Sequence, residues 1–147
     1  MGTDIHGWIE CKPSWKDEDE PWEAIIRVGW LVDRYYDAFG SFFGVRNLPL
    51  FGPIAANRGI PADASEEIQQ KVQEGLARFP QEYHSHTWIA WPEIKAINWE
   101  ENPTAQEDIR ERLRDIYTWG QQLFQVMNAL AERYEEERVR LVVWFDG

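Results

Sequence analysis

Polar and apolar side chains alternate through residues 3–11. Ile5, Gly7 and Ile9 fall on one side, and Asp4, His6, Trp8 and Glu10 on the other, the period of a β-strand. A polar loop, KPSWKDEDEP, separates this run from WEAIIRVGWLV, which is rich in β-branched residues. The two runs are predicted to pair as an antiparallel hairpin, with the acidic stretch 17–20 solvated in the loop. In RYYDAFGSFFGVRN the positions of Tyr35, Phe39, Phe42 and Phe43 predict a short helix ended by Gly44. A long irregular stretch, LPLFGPIAANRGIPADAS, follows. Ser65 then supplies a cap, and Ile68, Val72, Leu76 and Phe79 form one helical stripe closed by Pro80. HSHTWIAW reads as a strand and PEIKAIN as a short helix with Pro92 in its first position. Over residues 104–137, Ile109, Leu113, Ile116, Leu123, Met127, Leu130 and Tyr134 recur at spacings of three, four or seven. They predict a long amphipathic helix with Gly120 as a place to bend. RVRLVVWFD closes the chain as a buried strand. Together the elements predict one domain, 1–147, of class α+β: a single antiparallel or mixed sheet covered by helices. The pattern does not order the strands.

Composition narrows the partners. The 147 residues carry 15 Lys and Arg against 26 Asp and Glu, a formal net charge of -11. A duplex nucleic acid or an anionic membrane rewards clustered positive charge, so neither is expected. With 44% hydrophobic residues and nine Trp the chain has material for a core. One Cys permits no intrachain disulfide, the start of the chain has no apolar signal region, and no run approaches the ~20 apolar residues of a membrane span. A cytoplasmic protein is expected, and a homo-oligomer is left open.

The candidate chemistry is spread thinly. His6, His84 and His86 all lie in strand-like runs, and a spacing of two places His84 and His86 on the same side. With Asp4 and Glu10 these are residue types that a divalent metal accepts, a weak signal because a third ligand must arrive by folding. Phosphoesterases with paired His-x-Thr or His-x-Ser motifs are not expected, since no His is followed two places later by Ser or Thr. Arg34, Arg46 and Arg58 sit beside turns or helix ends and are candidate anion clamps. Taken with Asn47, Asn57, Tyr36 and His84 they outline a ligand pocket. Trp8 and Trp88 would share strand faces with His6 and His86, as a ring that stacks on a base would. Asp4 and His6 are accordingly predicted to face a pocket shared with Arg46, Asn47 and His84.

Six stretches, MGTDIH, RYYDAF, FGVRN, NRGIPADAS, HSHTWI and RLVVWFDG, resemble a family of small bacteriophage and bacterial proteins. That family opens M-G-[C/T]-D-I-H and carries R-N-Y-[D/S]-L-F, A-G-V-R-N, P-R-G-[L/F]-P-x-D-x-S, H-S-x-S-[W/Y]-L and a terminal R-[I/V]-V-F-[W/F]-F-D-N. The likeness runs from end to end and covers Asp4, His6, Arg34, Tyr36, Phe39, Arg46, Asn47, Arg58, His84, Ser85 and Asp146. Thr3, Tyr35, His86 and Gly147 depart from it, and Thr3 stands where the family often has Cys. The resemblance implies a phage context and a pocket, without a reaction. Asp, His, Arg, Asn, Tyr and Ser together read phosphate, ribose and base edge. The resulting expectation is a protein that binds and sequesters a small phosphorylated, nucleotide-like ligand: a phage counter-defence sponge, without a cofactor. In that reading Arg46 and Arg58 hold phosphate, Asn47 and Tyr36 hold sugar or base, Asp4 orients His6, and Arg34, His84 and Ser85 complete the site. The alternatives are a hydrolase or phosphodiesterase using His6 or His84 with Asp4 as acid and base, and an acidic inhibitor of a basic protein.

Overall fold

The computed structural model describes residues 2–46, 50–100 and 106–147. Four strands, β1 (Ile5–Cys11), β2 (Glu23–Arg27), β3 (Tyr83–Ala90) and β4 (Val139–Asp146), form one antiparallel sheet in the order β2-β1-β4-β3. Four helices, α1 (Tyr36–Phe43), α2 (Glu66–Arg78), α3 (Trp91–Lys95) and α4 (Glu107–Tyr134), cover it. The α+β class, the single sheet and the long helix near the end of the chain are as the hydrophobic pattern predicts. No helix among the described residues is long and apolar enough to cross a membrane.

First and last strands are neighbours at the centre of the sheet, so β4 is buried on both faces. Its odd positions Val139, Leu141, Val143 and Phe145 meet Ile5, Ile9, Ile89 and the side chains that α1, α3 and α4 turn inward: Phe39, Phe42, Phe43, Ile94, Ile116, Leu123, Phe124 and Met127. Its even positions Val142 and Trp144 pack on Ala64 and Ile68, with Trp8, Val72, Tyr83 and Trp88 around them. This explains the unbroken apolar run of β4, where a strand with one wet face would alternate.

Local sequence sets the element ends. Ser65 accepts the backbone N–H of Ile68 and so caps α2. Gly44 ends α1 in the left-handed conformation, φ 70°, which costs a Cβ-free residue little. β2 is shorter than WEAIIRVGWLV predicts, giving way at Val28 to a turn of 3₁₀ helix through Trp30. Arg27, the last residue of β2, pairs with Trp8. α4 is uninterrupted through Gly120, where a side chain would collide with the Phe124 ring; its glycine answers a packing need. The predicted start of this helix at residue 104 lies outside the described residues.

A buried ion cluster ties this frame together. The fully buried Glu10 accepts Nε of Arg140 at 2.7 Å and the backbone N–H of Ser65 at 2.6 Å. Arg140 also donates to Asp63 at 3.0 Å and lies 3.8 Å over the Trp22 ring. β1, β4 and the entry to α2 are thereby locked in one register.

Candidate functional site

The face of the sheet beneath α2 is apolar in its middle and polar at the end where β1 starts and β4 finishes. Register places His6 opposite Trp144, and Tyr83 opposite Asp146. The His6 ring stacks on Trp144, with centroids 6.4 Å apart and planes at 22°. His86 stacks on the other side of the same indole at 6.1 Å and 17°. Trp144 is therefore held between two imidazoles. His6 Nε2 lies 2.8 Å from Oδ2 of Asp146, and Tyr83 meets its ring edge-on at 5.6 Å. An ionised carboxylate only accepts, so Nε2 carries the proton, and in the neutral ring Nδ1 is the acceptor. Burial first, then the nearby imidazole of His84, pushes the pKa of His86 down.

Two clefts open on either side of this stack and share His6, Lys71 and Trp144. The larger, about 250 Å³, lies toward β2 and adds Trp8, Arg27, Gly29 and Trp30. The smaller, about 150 Å³, lies under the last turns of α2 and adds Glu74, Gly75, Arg78, Phe79 and Tyr83. Trp30 is 75% exposed and Phe79 49%, so each cleft has an aromatic lip in solvent. Among the described residues Arg27, Lys71 and Arg78 form no ion pair with a carboxylate, in contrast to Arg34, Arg58, Arg112, Arg138 and Arg140. Arg27 instead lies over the Trp8 ring at 5.2 Å.

Of the side chains singled out from sequence, His6 lines both clefts. Asp4 pairs with Arg34 at 2.9 Å rather than orienting His6, and the carboxylate that holds His6 is Asp146. The Arg34 hydrogen bond pulls the Asp4 pKa down. Arg34 also lines a separate cleft beside Asp33 and Asp115, whose carboxylates repel an anion. Tyr36 accepts the Thr3 N–H at 3.0 Å and Arg46 Nη2 at 3.2 Å, and the Arg46 guanidinium lies 4.5 Å over its ring. These donors lower the phenol pKa.

Arg58 sits elsewhere. Its fork is taken by both oxygens of Glu93, at 2.7 and 2.8 Å, and by the carbonyls of Trp88 and Ile54. A phosphate clamp there would have to displace a carboxylate already seated. His84 and His86 do not share a face as the two-residue spacing predicts. A bulge between His84 and Thr87, with Ser85 at φ 57°, puts His84 opposite Phe145 and leaves His86 against Trp144. His84 Nδ1 lies 2.9 Å from Ser85 Oγ. No group of three His, Cys, Asp or Glu among the described residues is arranged to hold a metal ion, and Glu10, once its neighbours are known, is a structural anion. Asn47 lies outside the described residues.

Sequence reading missed Lys71, Arg78, Arg27, Trp30 and Trp144. For the first two a signal existed: Lys71, Glu74 and Arg78 follow helical spacing along the flank of the Ile68–Val72 stripe, whose predicted continuation, Leu76 and Phe79, is exposed. The parity of RLVVWFD, which places Trp144 and Asp146 on one face, was equally available. Compared with family models, with curated proteins and with solved structures, the chain matches none.

Proposed function

We propose that this protein binds and sequesters a small phosphorylated, nucleotide-like ligand in the paired clefts under α2. The observation that carries the reading is the line of cations along the two clefts, Arg27 in the larger, Arg78 in the smaller and Lys71 in both, none with a carboxylate partner among the described residues, in a chain with 26 acidic residues. Charge this scarce, left unpaired and set among Trp8, Trp30, Trp144 and Tyr83, matches what a phosphate next to a flat ring requires. The resemblance to phage proteins supplies the biological setting, a sponge for a nucleotide signal of host defence.

Titration calorimetry with AMP, cyclic dinucleotides and cyclic ADP-ribose isomers tests the reading, with recovered ligand checked by mass. Binding of at least one, returned intact, is the expected result. Charge-assisted hydrogen bonds contribute ~1.5–3 kcal/mol each, so Lys71→Ala should weaken binding by one to two orders of magnitude. No binding by any of them, or an unaffected Lys71→Ala, counts against the reading.

The 2.8 Å contact of His6 with Asp146 favours one second reading. An imidazole fixed by a carboxylate, with Nδ1 free to accept, is equipped to activate water against a bound phosphoester. Cleaved product that appears with the wild type and vanishes with His6→Gln would select a hydrolase.

A further inference from the structure

We infer that the ligand is a dinucleotide, two bases joined through a phosphate-bearing linker. This rests on the nucleotide reading above and narrows it. Neither cleft alone reaches the ~300–1,000 Å³ usual for a small-molecule site, since they measure about 250 and 150 Å³. They share three lining residues, His6, Lys71 and Trp144, so a ligand lying across that shared wall would occupy both. Each has its own aromatic wall: Trp8 and Trp30 in the larger, Phe79 and Tyr83 in the smaller. The shared wall holds the central cation, Lys71, beside His6 and Trp144. Reading across the face, the order is ring platform, cation, ring platform.

A mononucleotide fills one platform and leaves the other wet. A dinucleotide seats a base on each and brings its linker phosphate to Lys71. Arg27 and Arg78 stand at the outer flanks, one per cleft, where they reach the sugar–phosphate edges. Glu74 faces the smaller cleft, bonded to Gln70 at 3.3 Å. Its carboxylate can accept only from hydroxyl or amino groups, so a sugar or base edge suits that end better than a second phosphate. Gly75 leaves room for the Tyr83 ring, which sits 3.0 Å from where a Cβ would be. The smaller platform is thereby held in place.

The test compares AMP with adenylyl-adenosine and cyclic di-AMP by titration calorimetry on the intact chain. AMP carries the greater charge on one phosphate, so a site that reads only charge prefers it. The expected result is at least one dinucleotide bound tenfold or more tighter than AMP. Trp30→Ala and Phe79→Ala should each then reduce dinucleotide affinity by roughly 5- to 150-fold, the range that base stacking on an aromatic supplies. Both side chains are largely exposed, so neither variant threatens the fold. AMP bound as tightly as either dinucleotide, or dinucleotide affinity unchanged by one of the two variants, overturns the dinucleotide inference and leaves the nucleotide reading standing. Failure of all three ligands to bind overturns the dinucleotide inference, and failure of the other cyclic dinucleotides and the cyclic ADP-ribose isomers as well overturns both.

Discussion

His6 Nε2 lies 2.8 Å from Asp146 Oδ2, a bond between the first strand and the end of the last, 140 positions apart in sequence. It fixes an imidazole at the junction of two clefts, and the side chains are 37% and 22% exposed. A partly wet pair of this kind contributes ~0–1 kcal/mol to stability. Asp146→Asn should therefore shift the urea midpoint little. Its effect should appear in the ring itself: long-range ¹H–¹⁵N spectra should show His6 as the Nε2–H tautomer in the wild type and as a mixture in the variant. An unchanged tautomer would mean that Asp146 does not orient the ring.

Glu10 and Arg140 present the opposite case, because both are buried and each completes the other. Removing Arg140 leaves the buried Glu10 carboxylate without its cation, at a cost of ~3–5 kcal/mol, whereas removing Glu10 leaves Arg140 bonded to Asp63 at 3.0 Å. Urea denaturation should show a loss of that order for Arg140→Met and a smaller one for Glu10→Gln. A Glu10→Gln/Arg140→Met pair should lose clearly less than the sum, since the singles share one interaction. Additive losses would show that the two act independently.

The elements that sequence specified well are those with a strong period. α2, from its Ser65 cap to the break before Pro80, was legible from its helical repeat, and β4 from an unbroken apolar run too short for a helix. Partnering was not legible. Arg58 in a Gly-Pro loop looks like a free anion clamp until Glu93, 35 residues away, is seen to fill it. His84 and His86 share a face only in a strand without a bulge, and nothing in HSHTW announces that Ser85 adopts a positive φ. The cleft cations Lys71 and Arg78 lie on a helix surface, where a lone charge is ordinarily solvated. Their meaning depends on Trp144 and His6, which arrive from the other ends of the chain.

Acid should destabilise the fold in a defined window. Asp63 is partly buried, which alone would raise its pKa, but the charge and hydrogen bond of Arg140, aided by Trp22, bring it below 3.8. The hydrogen bonds from Arg58 lower Glu93 below 4.5, with burial opposing. A carboxyl whose folded pKa is depressed adds stability above its unfolded value and loses it as pH falls through the folded one. The urea midpoint should therefore change little from neutral pH to about pH 5 through these groups, then fall at lower pH. Asp63→Asn should flatten that fall, and an acid limb unchanged in the variant would remove Asp63 as a contributor.

Gly7 should tolerate no side chain. It sits in β1 with φ 142°, paired with Val143, a conformation that residues with a Cβ rarely adopt. A Cβ there would lie 2.9 Å from the Val142 carbonyl carbon and closer still to its oxygen. Those atoms belong to the backbone of the central strand, so neither can move without breaking the β1–β4 ladder. Overpacking by one group costs ~1–3 kcal/mol where side chains can yield, and here they cannot. Gly7→Ala should therefore cost about 3 kcal/mol or more, a large share of the ~5–15 kcal/mol by which a domain is stable. Because His6 and Trp8 flank this residue and line the clefts, any folded fraction should also bind ligand more weakly. A melting temperature close to that of the wild type would show that β1 and β4 can separate locally, and that the close approach at Gly7 does not hold the site in register.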